Sequence, residues 1–292
     1  MIRKAYAKIN LTLEILGKRR DGYHDIKSVM HKIPFGDEVE LILNDTGIST
    51  VSCSRRVCPD KDNLALIAAK RYLDLYNAKT EKNAGVHIQI NKIVPSGAGL
   101  GGGSADGACV LDMLHAMLGV VSDGEVLEIA RNVGSDVPFC LRSHTSAVCT
   151  GRGDRIRDIE RLPSCPIIIA KPNDNLITSG IYGDYDKSFP DMNYKKDLSG
   201  KLEKALEKRE LSEIAKYFGN DFERICTKRL PMIASLKMLM FHSGAIAAQM
   251  TGSGSAVFGL FDDERLCSEC ANELRSIGIT QVYEFPDINA GI

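Results

Sequence analysis

Apolar and polar residues alternate without a break from residue 4 to residue 15. Ala5, Ala7, Ile9, Leu11, Leu13 and Ile15 fall on one side; Lys4, Tyr6, Lys8, Asn10, Thr12 and Glu14 fall on the other. A period of two puts each set on one face of a strand, so the pattern predicts a half-buried strand with a polar outer face. Residues 20–24 read as a turn, 25–33 as a returning strand, and Gly36-Asp37 as a second turn before a strand at 39–43. Residues 48–54 form a further short strand signal, and 86–90 alternate again.

Helical spacing takes over between these strands. Leu64, Ile67, Ala68, Tyr72 and Leu75 make an apolar stripe behind Asp62 or Asn63 as the cap. Ala108, Leu111, Leu114, His115 and Leu118 make a second stripe, and Ser122 with Glu125 spells a capping box for a third helix at 126–132. Beyond a break at 134–139, strand character returns at 147–149, and after Leu162-Pro163 the pattern starts afresh. It predicts strands at 167–170, 245–250, 256–261 and 280–285, and helices near 200–218, 229–242 and 263–277. Residues 183–199 read as a polar surface loop, and a boundary near 155–163 divides the chain into two α+β halves, 1–160 and 161–292.

Between the 86–90 strand and the second helical stripe lies the most informative stretch, residues 95–108, where Gly97, Gly99, Gly101, Gly102 and Gly103 fall within seven positions. Strand, glycine loop and helix start in that order leave a run of backbone N–H groups at a helix N-terminus. The aligned peptide dipoles leave roughly half a positive charge there, which attracts phosphate. Gly97, Gly99 and Gly102 satisfy a bare G-x-G-x-x-G, but the acidic residue that a dinucleotide site wants about 20 positions on is missing, and no Gly-Lys-Ser/Thr closes a Walker loop. A second glycine turn, Gly252-Ser-Gly254, lies between two predicted strands.

Composition narrows the class. The 292 residues are 44% hydrophobic and 26% charged, enough for a globular core or two. A net charge of −1 and a pI near 6.6, with no basic stripe, argue against nucleic acid or an anionic membrane as the main partner. Lys8, Asn10 and Glu14 interrupt any apolar leader, and the apolar helix near 110–121 carries Asp112 and His115, so the expectation is a cytoplasmic, soluble chain. Nine scattered cysteines fit buried thiols, and the lone Cys267-Ser-Glu-Cys270 has no second pair at zinc spacing.

Ala7-Lys-Ile-Asn-Leu11 with Asp21-Gly-Tyr-His24, then residues 95–108, then the stretch 249–258 (Gln-Met-Thr-Gly-Ser-Gly-Ser-Ala-Val-Phe) stand in the order of three motifs. With 134–139 and 220–223 in agreement, the chain resembles the GHMP small-molecule kinases over nearly its whole length. The first motif is that of the branch acting on a cytidine-diphosphate-linked methylerythritol. The resemblance implies an α+β, two-domain fold: a ribosomal-protein-S5-domain-2-like N-terminal half, a ferredoxin-like C-terminal half, and an active site between them. It implies ATP and Mg²⁺, a small-molecule substrate with neither nucleic acid nor membrane, and a monomer or weak homodimer.

The same resemblance implies roles. Lys8 and Asp136 are catalytic: Asp136 orients the hydroxyl and accepts its proton late, while Lys8 holds Asp136 and offsets charge on the transferred group. Pro95, Ser96, Gly97, Ala98, Gly99, Leu100, Gly101, Gly102, Gly103 and Ser104 cradle the ATP phosphates, with Ser104 also a candidate near Mg²⁺. Asn63 and Lys92 stand on the adenine side. Asn10, Tyr23, His24, Thr178 and Tyr182 join Asp136 on the substrate, the aromatic rings stacking cytosine. Gly252, Ser253 and Gly254 close over the diphosphate or methylerythritol end.

On the residues alone, Lys8 and Asn10 also fit a solvated strand face, Asp136 a turn, Tyr23 and His24 a hairpin, Asn63 a plain helix cap and Lys92 an exposed strand end. Two other functions fit parts of the pattern. One is a related kinase with a mevalonate, homoserine or sugar acceptor; the other is a non-catalytic nucleotide- or RNA-binding module, against which the charge balance weighs.

Overall fold

The computed structural model describes every residue except Arg142, Asn175, Ile177 and 189–196, and leaves the side chains of Thr178 and Ser179 undescribed. The chain opens with β1 (Ile2–Asn10), β2 (Thr12–Lys18), β3 (His24–Asn44), β4 (Thr50–Cys53), α1 (Leu64–Thr80) and β5 (Gly85–Asn91). It continues through α2 (Gly102–Leu118), α3 (Asp123–Val133), α4 (Val137–Leu141), β6 (Ser146–Gly151), β7 (Arg155–Asp158) and β8 (Ile167–Lys171). Next come α5 (Thr178–Ser188), α6 (Leu198–Leu206), α7 (Leu211–Ala215), β9 (Gly219–Asn220), α8 (Glu223–Arg229) and α9 (Met232–His242). The last elements are β10 (Ala247–Met250), β11 (Val257–Leu260), α10 (Glu264–Ser276) and β12 (Gln281–Phe285).

By contact, the chain forms two compact units that interleave along the sequence. The first holds Met1–Ala7, Phe35–Ser96 and Gly101–Ser143; the second holds Lys8–Pro34, Gly97–Leu100 and His144–Ile292. The single division near residue 160 read from the sequence therefore does not follow the contact units, because β1, β3 and the glycine loop each pass from one to the other.

In the first unit, β3 pairs antiparallel with β5 from Glu38↔Asn91 to Asn44↔Gly85, and β4 lies parallel on β5. The apolar residues of those strands, among them Leu41, Val86, Ile88 and Ile90, are covered by Ala65, Ala68, Ala69 and Tyr72 of α1 and by Ala108 and Leu111 of α2. Asn63 caps α1 by accepting from the amides of Ala65 and Leu66, and the Ser122–Glu125 capping box opens α3. Gly36 marks no turn: β3 runs straight through it. A Cβ there would stand 2.3 Å from the carbonyl oxygen of Ala5, so glycine serves close approach of two backbones.

The second unit contains a four-stranded antiparallel sheet in the order β10-β11-β8-β12. With α9 before β10 and α10 between β11 and β12, this is the expected ferredoxin-like arrangement. Its core joins Ile168, Ala170, Met250 and Val257 from the sheet to Leu236 and Met240 of α9 and Ala271 and Leu274 of α10. β6 pairs with the first half of β3, from Ile26↔Gly151 to His31↔Ser146, and β2 pairs with β3 and β9.

Two expectations change here. The alternating stretch 4–15 breaks at Leu11, whose amide donates to Val29 and whose carbonyl accepts from Gly219, so β1 and β2 are separate strands. Its polar face is dry in this unit: Lys8, Asn10, Thr12 and Glu14 are all buried. Glu14 accepts from the amides of Leu198 and Ser199 at 2.8 Å each, an acidic side chain at the N-terminus of α6 where the helix dipole favours it. Likewise residues 183–188, read as loop, continue α5, while 189–196 lie outside the described residues.

Candidate active site

The buried face of β1 begins a hydrogen-bonded chain. Lys8 Nζ donates to Asn10 Oδ1 at 2.7 Å and to the Gly99 carbonyl at 3.0 Å, the two side chains meeting because they are two residues apart on one strand. Asn10 Nδ2 donates to Ser28 Oγ at 2.8 Å, and the Asn10 amide donates to Thr251 Oγ1 at 3.0 Å. Each buried polar group is thus given a partner, as burial away from water requires.

The first half of the glycine loop is built against the second glycine turn. The Ser255 and Ala256 amides donate to the carbonyls of Gly97 and Ala98 at 3.3 and 3.1 Å, and the Lys8 amide donates to that of Leu100 at 2.9 Å. Ala98 and Leu100 point inward and are buried, whereas Ser96 and Gly97 are exposed. Gly99 has φ +76°, and a Cβ on it would stand 2.1 Å from the carbonyl oxygen of Thr251. No other residue fits that backbone and that gap. Asn220 Nδ2 ties down the turn by donating to the carbonyls of Met250 and Gly252 at 2.9 and 2.8 Å.

In the first unit, Gly101 stands at the N-cap of α2 without a side-chain cap, unlike the capped α1 and α3. The amides of Gly102, Gly103 and Ser104 open the helix and find no carbonyl a turn earlier within it. Beneath them Lys92 Nζ donates to Asp37 Oδ2 at 2.5 Å and to Asp106 Oδ2 at 2.6 Å. Asp37 Oδ1 accepts from the amides of Ile93 and Val94 just ahead of the loop. The cluster therefore grips the strand entering the loop and the helix leaving it. Burial pushes the Asp106 carboxyl up to about 7, against the pull of Lys92 and with a further push from Asp37. Asp106 Oδ1 is buried without a hydrogen-bond partner, which favours a proton on that carboxyl. Asp136 sits half-buried in the turn before α4, its carbonyl accepting from Cys140.

Around His24 a second cluster forms. His24 Nε2 lies 2.6 Å from Asp186 Oδ1, its ring 4.9 Å from that of Tyr182, and Tyr182 meets Phe222 edge to face at 4.6 Å. Tyr23 faces differently: it is 53% exposed, with the Arg152 guanidinium 5.1 Å over its ring.

The family model for the GHMP kinases N terminal domain matches residues 63–144, and that for the GHMP kinases C terminal matches residues 202–279. The 4-diphosphocytidyl-2-C-methyl-D-erythritol kinase of a Clostridium botulinum strain is 36% identical over 279 residues, covering 94% of this chain and 96% of the relative. The chain belongs to this family of GHMP kinases. Its counterpart from Caldicellulosiruptor saccharolyticus is 38% identical over 278 residues, 94% of this chain and 93% of that one. A crystal structure of a 4-(cytidine 5'-diphospho)-2C-methyl-D-erythritol kinase superposes with a TM-score of 0.79 at 29% identity, covering 97% of this chain and 98% of that chain.

Of the GHMP-kinase residues read from the sequence, the second unit gathers Lys8, Asn10, residues 97–100 and 252–254 into one hydrogen-bonded group, and His24 with Tyr182 into another. The first unit holds Asn63, Lys92, Pro95, Ser96, 101–104 and Asp136. Asn63 spends its carbonyl oxygen as a helix cap, and the Lys92 ammonium is taken by the carboxyl groups of Asp37 and Asp106 rather than exposed at a strand end. The side chain of Thr178 lies outside the described residues. Sequence reading passed over Ser28, Thr251, Asp37, Asp106 and Asp186. Thr251 and Asp106 were within reach, inside the third and second motifs; Ser28, Asp37 and Asp186 become visible only when segments distant in sequence meet.

Proposed function

We propose that the chain transfers the γ-phosphoryl group of ATP to the 2-hydroxyl of 4-diphosphocytidyl-2-C-methyl-D-erythritol, a step in the methylerythritol phosphate route to isoprenoid precursors. The 36% identity to a curated enzyme of that name over 94% of the chain carries this reading. The two family domains are assigned to residues 1–160 and 161–292. Phosphoryl transfer asks a protein mainly for positioning and charge stabilisation. Within the loop 95–105, the amides of Gly97–Ser104 supply both for the triphosphate, through the uncapped start of α2. Asp136 orients the acceptor hydroxyl and takes its proton as the phosphorus–oxygen bond forms. Lys8 offsets charge on the transferred group, Asn10 holding its ammonium in place at 2.7 Å.

Tyr23, His24 and Tyr182 receive the cytosine, Thr178 and residues 252–254 the remainder of the acceptor, and Asn63 and Lys92 the adenine side. Mg²⁺ takes its ligands chiefly from phosphate oxygens and water. The Ser104 hydroxyl, in the first turn of α2, suits that role: even a Cβ on the neighbouring Gly134 would lie at an ordinary contact distance, 4.0 Å, from Ser104 Oγ. Bound there, the ion would neutralise charge on the phosphates.

The acceptor carbon in this reading carries a methyl group and no hydrogen, so phosphorus attached to its oxygen has no three-bond proton coupling. Phosphorus NMR of the product should show a new uncoupled phosphomonoester signal. A signal split by protons would place the phosphate on a primary or secondary hydroxyl and overturn the assignment.

A further inference from the structure

The cluster at His24 contains a carboxylate that the transfer chemistry does not use. Asp186 Oδ1 lies 2.6 Å from His24 Nε2, and Lys18 Nζ donates to Asp186 Oδ2 at 2.6 Å. Partial burial works against the charge, yet the hydrogen bonds from Lys18 and His24 hold the Asp186 carboxyl below its ordinary value. An ionised carboxylate only accepts, so the proton of a neutral imidazole facing it sits on Nε2 and Nδ1 is left as an acceptor. Among the described residues Nδ1 has no hydrogen-bond partner. The ring itself is held against Tyr182, which Phe222 meets edge to face.

Bases differ in what they offer such an acceptor. Cytosine presents an exocyclic amine that donates, where uracil presents a carbonyl that accepts. A bare imidazole nitrogen suits the first and repels the second. We propose that Asp186, steadied by Lys18, is the positioning residue for base choice: it pins the His24 proton on Nε2 and so selects a nucleotide-linked acceptor whose base donates from an exocyclic amine. This rests on the reading that His24 faces the base of the cytidine-linked substrate.

Lys18 makes the idea sharply testable through Asp186→Asn. The lysine ammonium demands an oxygen, so it keeps the asparagine carbonyl and turns the amide towards His24 Nε2. The amide donates, and the imidazole proton moves to Nδ1, which now suits a base carbonyl. Steady-state kcat/KM should be measured with cytidine- and uridine-diphosphate-linked methylerythritol at about pH 8.5, above the ordinary histidine range. The wild type should prefer the cytidine compound by about 100-fold or more, a site built for one donor pattern rejecting the other. In D186N the cytidine value should fall at least about tenfold while the uridine value rises, by the donor–acceptor inversion. Adding Lys18→Met frees the amide to turn back and should restore part of the cytidine preference.

A merely structural Asp186 would lower both substrates together. An unchanged cytidine-to-uridine ratio in D186N, with the wild type active, would overturn this inference and leave the kinase reading intact. A wild type that turns over neither compound would sink the kinase reading first and this inference with it.

Discussion

Lys8 Nζ and Asn10 Oδ1 stand 2.7 Å apart on the buried face of β1, Lys8 at 3% exposure and Asn10 at 2%. An ammonium taken so far out of water is costly unless its donors are bonded. Its second bond, to the Gly99 carbonyl, anchors it to the loop assigned to the triphosphate.

Replacing Lys8 by Met keeps the length of the stem and removes the charge. We expect kcat to fall by about 10²–10³, the usual loss when one preorganised charge-stabilising donor is deleted. Thermal melting checks that the fold survives, and ATP turnover measures the loss. Asp136→Asn should reduce kcat by a comparable factor.

Gly99→Ala tests the loop geometry. Its φ of +76° and the 2.1 Å approach to Thr251 leave no place for a methyl group. The strain alone is worth about 1–3 kcal/mol, and the displaced Gly99 carbonyl also releases Lys8. Both the urea midpoint and ATP kcat/KM should drop; a variant matching the wild type in both would contradict the loop structure described.

Asn63 carries two assignments that can be separated. Asn63→Ala removes the cap of α1 and should cost about 1 kcal/mol, which for a chain of this size lowers the melting temperature by about 2–4 °C. Asn63→Asp retains an oxygen for the Ala65 and Leu66 amides and should recover the stability. If the amide also reads adenine, the KM for ATP stays raised in both variants. An ATP KM equal to wild type in Asn63→Asp would reduce Asn63 to a cap.

The raised carboxyl of Asp106 predicts a pH dependence of stability. From about pH 4, where a free aspartate has lost half its protons, up to about 7, the folded chain holds a proton that the unfolded chain has released. Stability from this group therefore falls as pH rises through that window. Asp106→Asn lacks the titration yet keeps an oxygen for Lys92. The melting temperature of the variant minus that of the wild type should become more positive between pH 5 and pH 8. A constant difference would mean that Asp106 titrates normally.

The sequence made the glycine loop, the α1 and α3 caps and the strands and helices of the C-terminal half legible because each is written in neighbouring residues: five glycines, Asn63, Ser122 with Glu125, and strand-helix alternation; the ferredoxin-like order of those strands came from the family resemblance. What it hid depends on partners far along the chain. Alternation in β1 and β2 looks the same whether the polar face meets water or the amides of α6, so Glu14 read as solvated when it bonds Leu198 and Ser199. Gly36-Asp37 spells a turn, but β3 passes straight through because Gly36 clears Ala5 and Asp37 bonds Lys92, Ile93 and Val94. Asp186 fell in a stretch read as loop, which concealed its pairing with His24.

The central claim is a choice of acceptor, and a coupled ADP-release assay tests it directly. With ATP and Mg²⁺, the purified chain should release ADP when given 4-diphosphocytidyl-2-C-methyl-D-erythritol and stay at background with mevalonate, homoserine or a simple sugar. Rapid release with one of those alcohols and none with the cytidine-linked compound would contradict the account.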